Sequence, residues 1–293
     1  MYKLITIDLD GTLLNRYGEV TEYTKNIIKQ VTQKGILVVL ASGRISESVL
    51  TIAKEIGANK YYISGNGSVL YDMKKNEILY ENYLNKEKVL EIIELCEKNS
   101  IYYNIYTESS VIAKSLNYNV AFYNYENTKK SSDKKTEINI VEDVYDYVKK
   151  LNTNKFLKMT ICDESKIVFS SILRKLKNIS NIDVLEVSHM SQKKIKAGTK
   201  EISVGYYYTE VSSKNVDKWY AIEEIMKLEN IEQEEVMSFG DNNNDILMIK
   251  NAGLGIAMGH SNEQVKKVAN FITKTNDEDG VAIILNKIFD LNL

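Results

Sequence analysis

Two aspartates two positions apart, Asp8 and Asp10, close the apolar run LITIDL (4–9) and are followed at once by Gly11 and Thr12. An acidic pair beside a tight turn is a place where a metal ion and a phosphate can meet. Turn amides cradle phosphate oxygens, and in open α/β sheets ligands collect beyond the carboxyl ends of the strands. A lone Asp-X-Asp would equally fit a solvated turn or the metal-nucleotide site of a glycosyltransferase. Two further apolar runs, however, end in similar chemistry: ILVVLA (36–41) in Ser42-Gly43-Arg44, and VMSFG (236–240) in Asp241-Asn242-Asn243-Asn244-Asp245. The last cluster has the D-x-N-x-D spacing that opens a calcium loop. An EF-hand needs Gly at its sixth position and Glu at its twelfth, and this chain has Ile246 and Ala252 there. The preferred reading is a group of carboxylates that completes a magnesium site begun by Asp8 and Asp10, since hard oxygen ligands suit magnesium.

The elements that must position these residues follow from periodicity. A strand over 4–9 leads to a helical pattern, TEYTKNIIKQVTQK (21–34), closed by Gly35 where a left-handed C-cap belongs, and then to a strand over 36–41. Unbroken apolarity in ILVVLA suits a strand covered on both faces of a parallel sheet. A second helix over 46–56, with Val49, Ile52, Ala53 and Ile56 on one face, leads to the strand YYIS (61–64). The C-terminal part repeats this grammar: a helix near 217–228, a strand at 236–240, a short helix at 245–251, LGIAM at 254–258, a helix at 261–269, FIT at 271–273, and a closing helix through GVAIILNKIF. The alternation predicts an α/β fold, a Rossmann-like parallel-sheet core. Between the two parts the texture changes to Tyr-rich strand-like segments, IYYNIYT (101–107) and VGYYYTEV (204–211), with long helices. The expected organisation is therefore a core of 1–82 with 212–293 and an inserted α+β domain over 83–211. The run KKSSDKKTE (129–137) reads as a solvated loop.

Composition narrows the function classes. With 293 residues, 44% of them hydrophobic and 27% charged, the chain can form real cores and suits about two domains. Its 38 basic and 40 acidic side chains nearly cancel, so no global field draws it to nucleic acid or an anionic membrane. The 20 tyrosines, without a basic surplus or a binding motif, are better read as core and sheet surface than as a nucleic-acid platform. Cys96 and Cys162 form neither a disulfide framework nor a metal spacing, and the N-terminal run has acidic residues inside it, so a cytoplasmic location is expected. His189 and His260 have no partners at metal or relay spacing and read as structural or surface residues.

Taken together, DLDGT (8–12), SGR (42–44), Lys218 and GDNNND (240–245), in that order, resemble the haloacid dehalogenase-like superfamily of phosphatases. SGNG (64–67), KNVDKW (214–219), LGIAMGHSNEQVKKVANFIT and NDEDGVA (276–282) look like its Cof-like subfamily, which carries a large α/β cap after the second motif. Trp219 stands where that family usually has Gly, and His260-Ser261 where it usually has Asn-Ala.

The resemblance implies roles that these side chains can physically fill. Asp8 would attack phosphorus and form an acyl phosphate, with Mg2+ cancelling the repulsion between two anions. The ion's ligands would be the Asp8 carboxylate, the Asp10 main-chain carbonyl and Asp241, with Asp245 close by or acting through water. Asp10 would be general acid and then base, which calls for a raised carboxyl pKa. Lys218 is the third expected catalytic group, and Thr12, Ser42 and Lys218 the donors to the phosphoryl oxygens. Leu9, Gly11 and Gly43 are expected to serve phosphate alongside them, with Arg44 and Asn66 near the leaving group, and Asn244 either serving phosphate or capping a helix. The implied substrate is a small phosphorylated metabolite such as a sugar phosphate, handled by a monomer or homodimer without nucleic acid or membrane. Other readings are a phosphomutase of the same fold, a non-catalytic phosphometabolite-binding protein and, less well supported, a dehalogenase, which needs neither Asp10 nor a magnesium site.

Overall fold

A computed structural model describes residues 2–128, 135–185, 191–197 and 200–291. In chain order the first elements are β1 (Leu4–Ile7), α1 (Glu22–Gln33), β2 (Leu37–Ala41), α2 (Ser46–Ile56), β3 (Tyr61–Ser64), β4 (Val69–Asp72) and β5 (Glu77–Glu81). There follow α3 (Lys86–Lys98), β6 (Tyr102–Thr107), β7 (Ser110–Ala113), α4 (Tyr118–Asn127), β8 (Glu137–Ile140), α5 (Val144–Lys150), β9 (Phe156–Asp163), α6 (Lys166–Leu176), β10 (Ile182–Val184), β11 (Ser191–Ala197) and β12 (Lys200–Ser213). The chain closes with α7 (Lys218–Glu229), β13 (Val236–Gly240), α8 (Ile246–Asn251), β14 (Leu254–Ala257), α9 (Glu263–Val268), β15 (Phe271–Ile272) and α10 (Gly280–Phe289). Two compact units result: residues up to Glu81 with those from Val216 onward, and Asn82–Asn215.

In the first unit the described strands form one sheet in the order β15-β14-β13-β1-β2-β3-β4-β5. Pairing is parallel from β15 to β3, and β4 and β5 extend the sheet as an antiparallel pair. The run LITI is buried at every position because both faces of β1 are covered. Ile5 and Ile7 pack with Val38, Leu40 and Phe239 against α1, α2 and α10. Leu4, Val39 and Ala41 face the other way, toward Trp219, Ile222 and Ile225 of α7 and Ile249 of α8. Each such side chain contributes about 1.5–3 kcal/mol by leaving water. Phe239→Ala, which would open a cavity beside Ile5 and Ile7, should cost about 3–5 kcal/mol. Thr21 caps α1 by accepting from the Thr24 N–H, and Gly35 takes the left-handed conformation, φ 83°, just beyond the helix.

The inserted unit has its own sheet, in the order β10-β12-β9-β6-β7-β8, with β11 paired to β12. β12 remains in this sheet to Ser213, which pairs with Ile182. One face of the sheet carries Tyr103, Ile105, Met159, Ile161 and Val211 and packs on Val89, Ile92 and Ile93 of α3, Val144 and Val148 of α5, and Phe169 and Ile172 of α6. The lysine-rich run is described only from Lys135, and His189 lies outside the described residues. No described helix is long and apolar enough to cross a membrane.

Candidate active site

The end of β1 delivers Asp8. Its N–H still donates to the Phe239 carbonyl at 3.0 Å, so the strand pairing holds the carboxylate in place up to its own Cα. The chain then turns sharply, with the Leu9 carbonyl accepting from the N–H groups of Thr12, Leu13 and Leu14. The Leu9 side chain is in the core, leaving only its backbone for any ligand. Gly11 holds φ 89°, and a Cβ there would lie 2.5 Å from an Asp241 carboxylate oxygen. Only glycine lets this turn close onto Asp241. Thr12 Oγ1 completes the join, donating to Asp241 Oδ1 at 2.9 Å.

Lys218 opens α7, one residue after Asp217, which caps the helix through the Trp219 N–H. The lysine is fully buried, and its Nζ lies 2.5 Å from Asp8 Oδ1 and 2.7 Å from Asp245 Oδ1. The other Asp245 oxygen accepts from the Asp241 and Asn242 N–H groups at 2.9 and 3.0 Å. Oxygens of Asp8, Asp241 and Asp245 all lie within 4.8 Å of one another. Asp8 and Asp245 thus share one ammonium, with the Asp241 carboxylate beside them. Burial, reinforced by Asp245, pushes the Asp8 carboxyl well above the usual carboxylate range despite Lys218. Burial also raises Asp241, against the opposing pull of His260 and Thr12. Burial works to lower Lys218, but Asp245 and Asp8 outweigh it and raise the ammonium above its ordinary value. An acidic, all-oxygen donor set with surplus negative charge fits a hard divalent cation.

Asp10 stands apart from that cluster. Its side chain is largely exposed and is held by Arg44 in a two-pronged pair, Nε to Oδ2 at 2.8 Å and Nη2 to Oδ1 at 2.6 Å. Arg44 is placed from β2, where Ser42 Oγ accepts its N–H at 3.2 Å. Asn66, at φ 59° after β3, donates its N–H to the Ser42 carbonyl and accepts from Asn244 Nδ2 at 3.0 Å. A Cβ on Gly43 would lie 2.7 Å from the Asn66 amide oxygen, so that glycine lets β2 and β3 meet. Asn244 therefore faces Asn66, and the cap of the short turn at 243–245 is Asn242 instead.

Sequence reasoning missed three features. His260, read as a structural or surface residue, has its Nε2 3.7 Å from Asp241 Oδ2. Its signal was its position just after the apolar LGIAM strand, at the same sheet edge. Arg44's grip on Asp10 was not foreseen, and neither was the clasp formed by NDEDGVA. There Asp277 accepts from Arg16, Asp279 from Thr21 and Thr24, and Asn276 Nδ2 donates to the Leu14 carbonyl, tying down the loop after Asp10. Trp219 is accommodated in the core, with its indole N–H on Glu223.

A family model described as haloacid dehalogenase-like hydrolase matches residues 5–285. The chain belongs to this family. The chain is similar to phosphatase YwpJ of Bacillus subtilis (strain 168), 28% identical over 98% of this chain and 99% of that one. Another relative is the 5-amino-6-(5-phospho-D-ribitylamino)uracil phosphatase YcsE of the same organism, 26% identical over 96% of this chain and 93% of that one. Among solved structures, a haloacid dehalogenase-like hydrolase from Bacteroides thetaiotaomicron is 28% identical, superposes with a TM-score of 0.74, and covers 99% of this chain and 100% of its own. This haloacid dehalogenase-like hydrolase is a phosphatase, and Asp8, Asp241 and Asp245 form an acidic cluster at the ends of its β1 and β13.

Proposed function

We propose that this phosphatase is a magnesium-dependent phosphomonoester hydrolase for small phosphorylated metabolites, sugar phosphates or similar, working through an aspartyl-phosphate on Asp8. The observation that carries the reading is the convergence of Asp8, Asp241 and Asp245 at the edge of a parallel sheet, with a buried lysine bound to Asp8 and Asp245. Residues more than two hundred positions apart meet there. The Asp8 and Asp241 carboxylates and the Asp10 main-chain carbonyl would hold Mg2+, with Asp245 beside them. The ion would supply the positive charge that lets a carboxylate approach a phosphoryl dianion.

The chain's own groups do the rest. Asp8 attacks phosphorus in line, and the ester oxygen leaves as the new acyl-phosphate bond forms. Lys218 aligns the attacking carboxylate and, with the N–H groups of the turn from Leu9 to Thr12, Thr12 Oγ1 and Ser42 Oγ, meets the charge on the phosphoryl oxygens. Asp10 gives a proton to the leaving oxygen and takes one from the water that hydrolyses the intermediate. To do so its carboxyl group has to turn out of the Arg44 fork, so Arg44 sets where Asp10 rests between turnovers. Gly43, Asn66 and Asn244 shape the neighbouring edge, and the inserted unit selects the leaving group.

Hydroxylamine trapping tests the covalent step. A protein hydroxamate on Asp8 during turnover, with inorganic phosphate as the end product, agrees with the proposal. Phosphate release with no trappable acyl group contradicts it, and phosphoryl return to a second hydroxyl without release would make the protein a mutase.

A further inference from the structure

The turn that follows β14 carries a side chain for which the phosphoryl chemistry has no use. The Met258 N–H donates to the Gly240 carbonyl at 3.0 Å, so the pairing of β14 with β13 runs up to the residue before Asp241. The Gly259 N–H then donates to the Lys274 carbonyl at 3.1 Å, and the Ser261 N–H returns to the Met258 carbonyl at 3.0 Å, closing a four-residue turn with His260 in its third position. Asn262 caps α9 next door, and its Nδ2 donates to Asn243 Oδ1 at 3.0 Å. The turn is therefore tied to the 240–245 segment before and after His260, which fixes where the imidazole can be.

His260 Nε2 faces Asp241 Oδ2 at 3.7 Å. That is too long for a hydrogen bond, but the side chain is 37% exposed and has room to turn the remaining distance. The other Asp241 oxygen, Oδ1, already accepts the Thr12 hydroxyl at 2.9 Å. A second acidic neighbour of the ring is Asp277, and Arg16 occupies both oxygens of that carboxylate, which commits it elsewhere. His260 does not belong among the ligands themselves, because the mutually close donor set among the described residues consists of oxygens from Asp8, Asp241 and Asp245. Its place is one layer out. A carboxylate that gives one oxygen to an ion can still rotate about its own bond, and a donor on the second oxygen stops that rotation. Losing such a partner weakens metal binding about 10–100-fold.

We propose that His260 is a positioning residue for the cation site, donating from its Nε2–H to Asp241 Oδ2 when an ion occupies the acidic cluster. Asp241 is a metal ligand on the reading given above, and His260 serves that ligand without entering phosphoryl transfer. Isothermal titration calorimetry with Mg2+ on the full chain, in the absence of substrate, tests it. The wild type binds the ion, His260→Ala binds it roughly 10–100-fold more weakly, and His260→Gln, whose amide N–H has a comparable reach, recovers most of the loss. In chelator the unfolding midpoints of the three proteins coincide, because the ring acts on the ion's ligand and not on the core. A wild type that takes up no Mg2+ overturns the reading of the site and the role of His260 with it. Wild-type binding that His260→Ala matches, a His260→Gln protein as weak as His260→Ala, or a midpoint lowered in chelator overturns the role of His260 alone.

Discussion

The two units each bury a lysine against carboxylates, and they do so to different ends. In the first, Lys218 answers Asp8 and Asp245 directly and the Asp241 carboxylate lies close to both, so negative charge is left over. In the second, Lys158 meets one glutamate and the account closes at neutrality. A surplus of carboxylate is unfavourable in a buried site unless a cation joins it, whereas a balanced pair calls for no further ion. Charge count, more than the identity of the residue, separates the two lysines.

The sharpest way to break this contrast is to neutralise one carboxylate of the first site. Asp8→Asn should remove turnover to background, a loss on the order of a million-fold if Asp8 is the nucleophile, measured as phosphate release from a sugar phosphate. The fold should persist, since Lys218 keeps Asp245. Asp10→Asn should lower kcat by about a hundred- to ten-thousand-fold, the range for a general acid. Arg44→Ala should lower it less, because Arg44 positions Asp10 without performing the proton transfer.

Removing the cation of the first site should cost stability. Lys218→Met leaves Asp8 and Asp245 buried without their counterion, and urea unfolding should show a loss of about 3–5 kcal/mol. Added Mg2+ should restore part of it by binding only the folded state. In chelator, pH should act in a stated direction. Asp8 and Asp241 are raised in the folded protein, so the folded state holds more protons than the unfolded one. Their contribution is fully present below the unfolded carboxylate value of about 3.9 and is lost as pH rises through the raised folded values. The unfolding midpoint of the metal-free protein should therefore lose ground with rising pH, and Asp8→Asn should flatten the trend.

Much of the first unit was legible because its signals are local. LITI and LVVLA read as doubly covered strands, TEYTKNIIKQVTQK and the 46–56 segment carry clean helical faces, and the polar residues at the strand ends marked the edge where ligands gather. β4 and β5 were not foreseen, since VLYD and EILYE are short segments whose strand character is settled by pairing with β3. Arg44 on Asp10 and His260 near Asp241 depend on where loops end in space, which spacing along the chain does not encode. Tyr103, Tyr106 and Tyr206 lie buried on strands, and the alternation of Asn104 with Tyr106, Lys158 with Thr160, and Tyr208 with Glu210 already traced a polar face. Period-two patterning in those strands was the signal.

The dependence of phosphate release on Mg2+ concentration, followed for the wild type and Asp241→Ala, addresses the central claim most directly. The account predicts no release in chelator, a saturable rise with Mg2+ for the wild type and a nearly flat response for the variant. Release at full rate in chelator, or an Asp241→Ala curve that overlays the wild type, would contradict it.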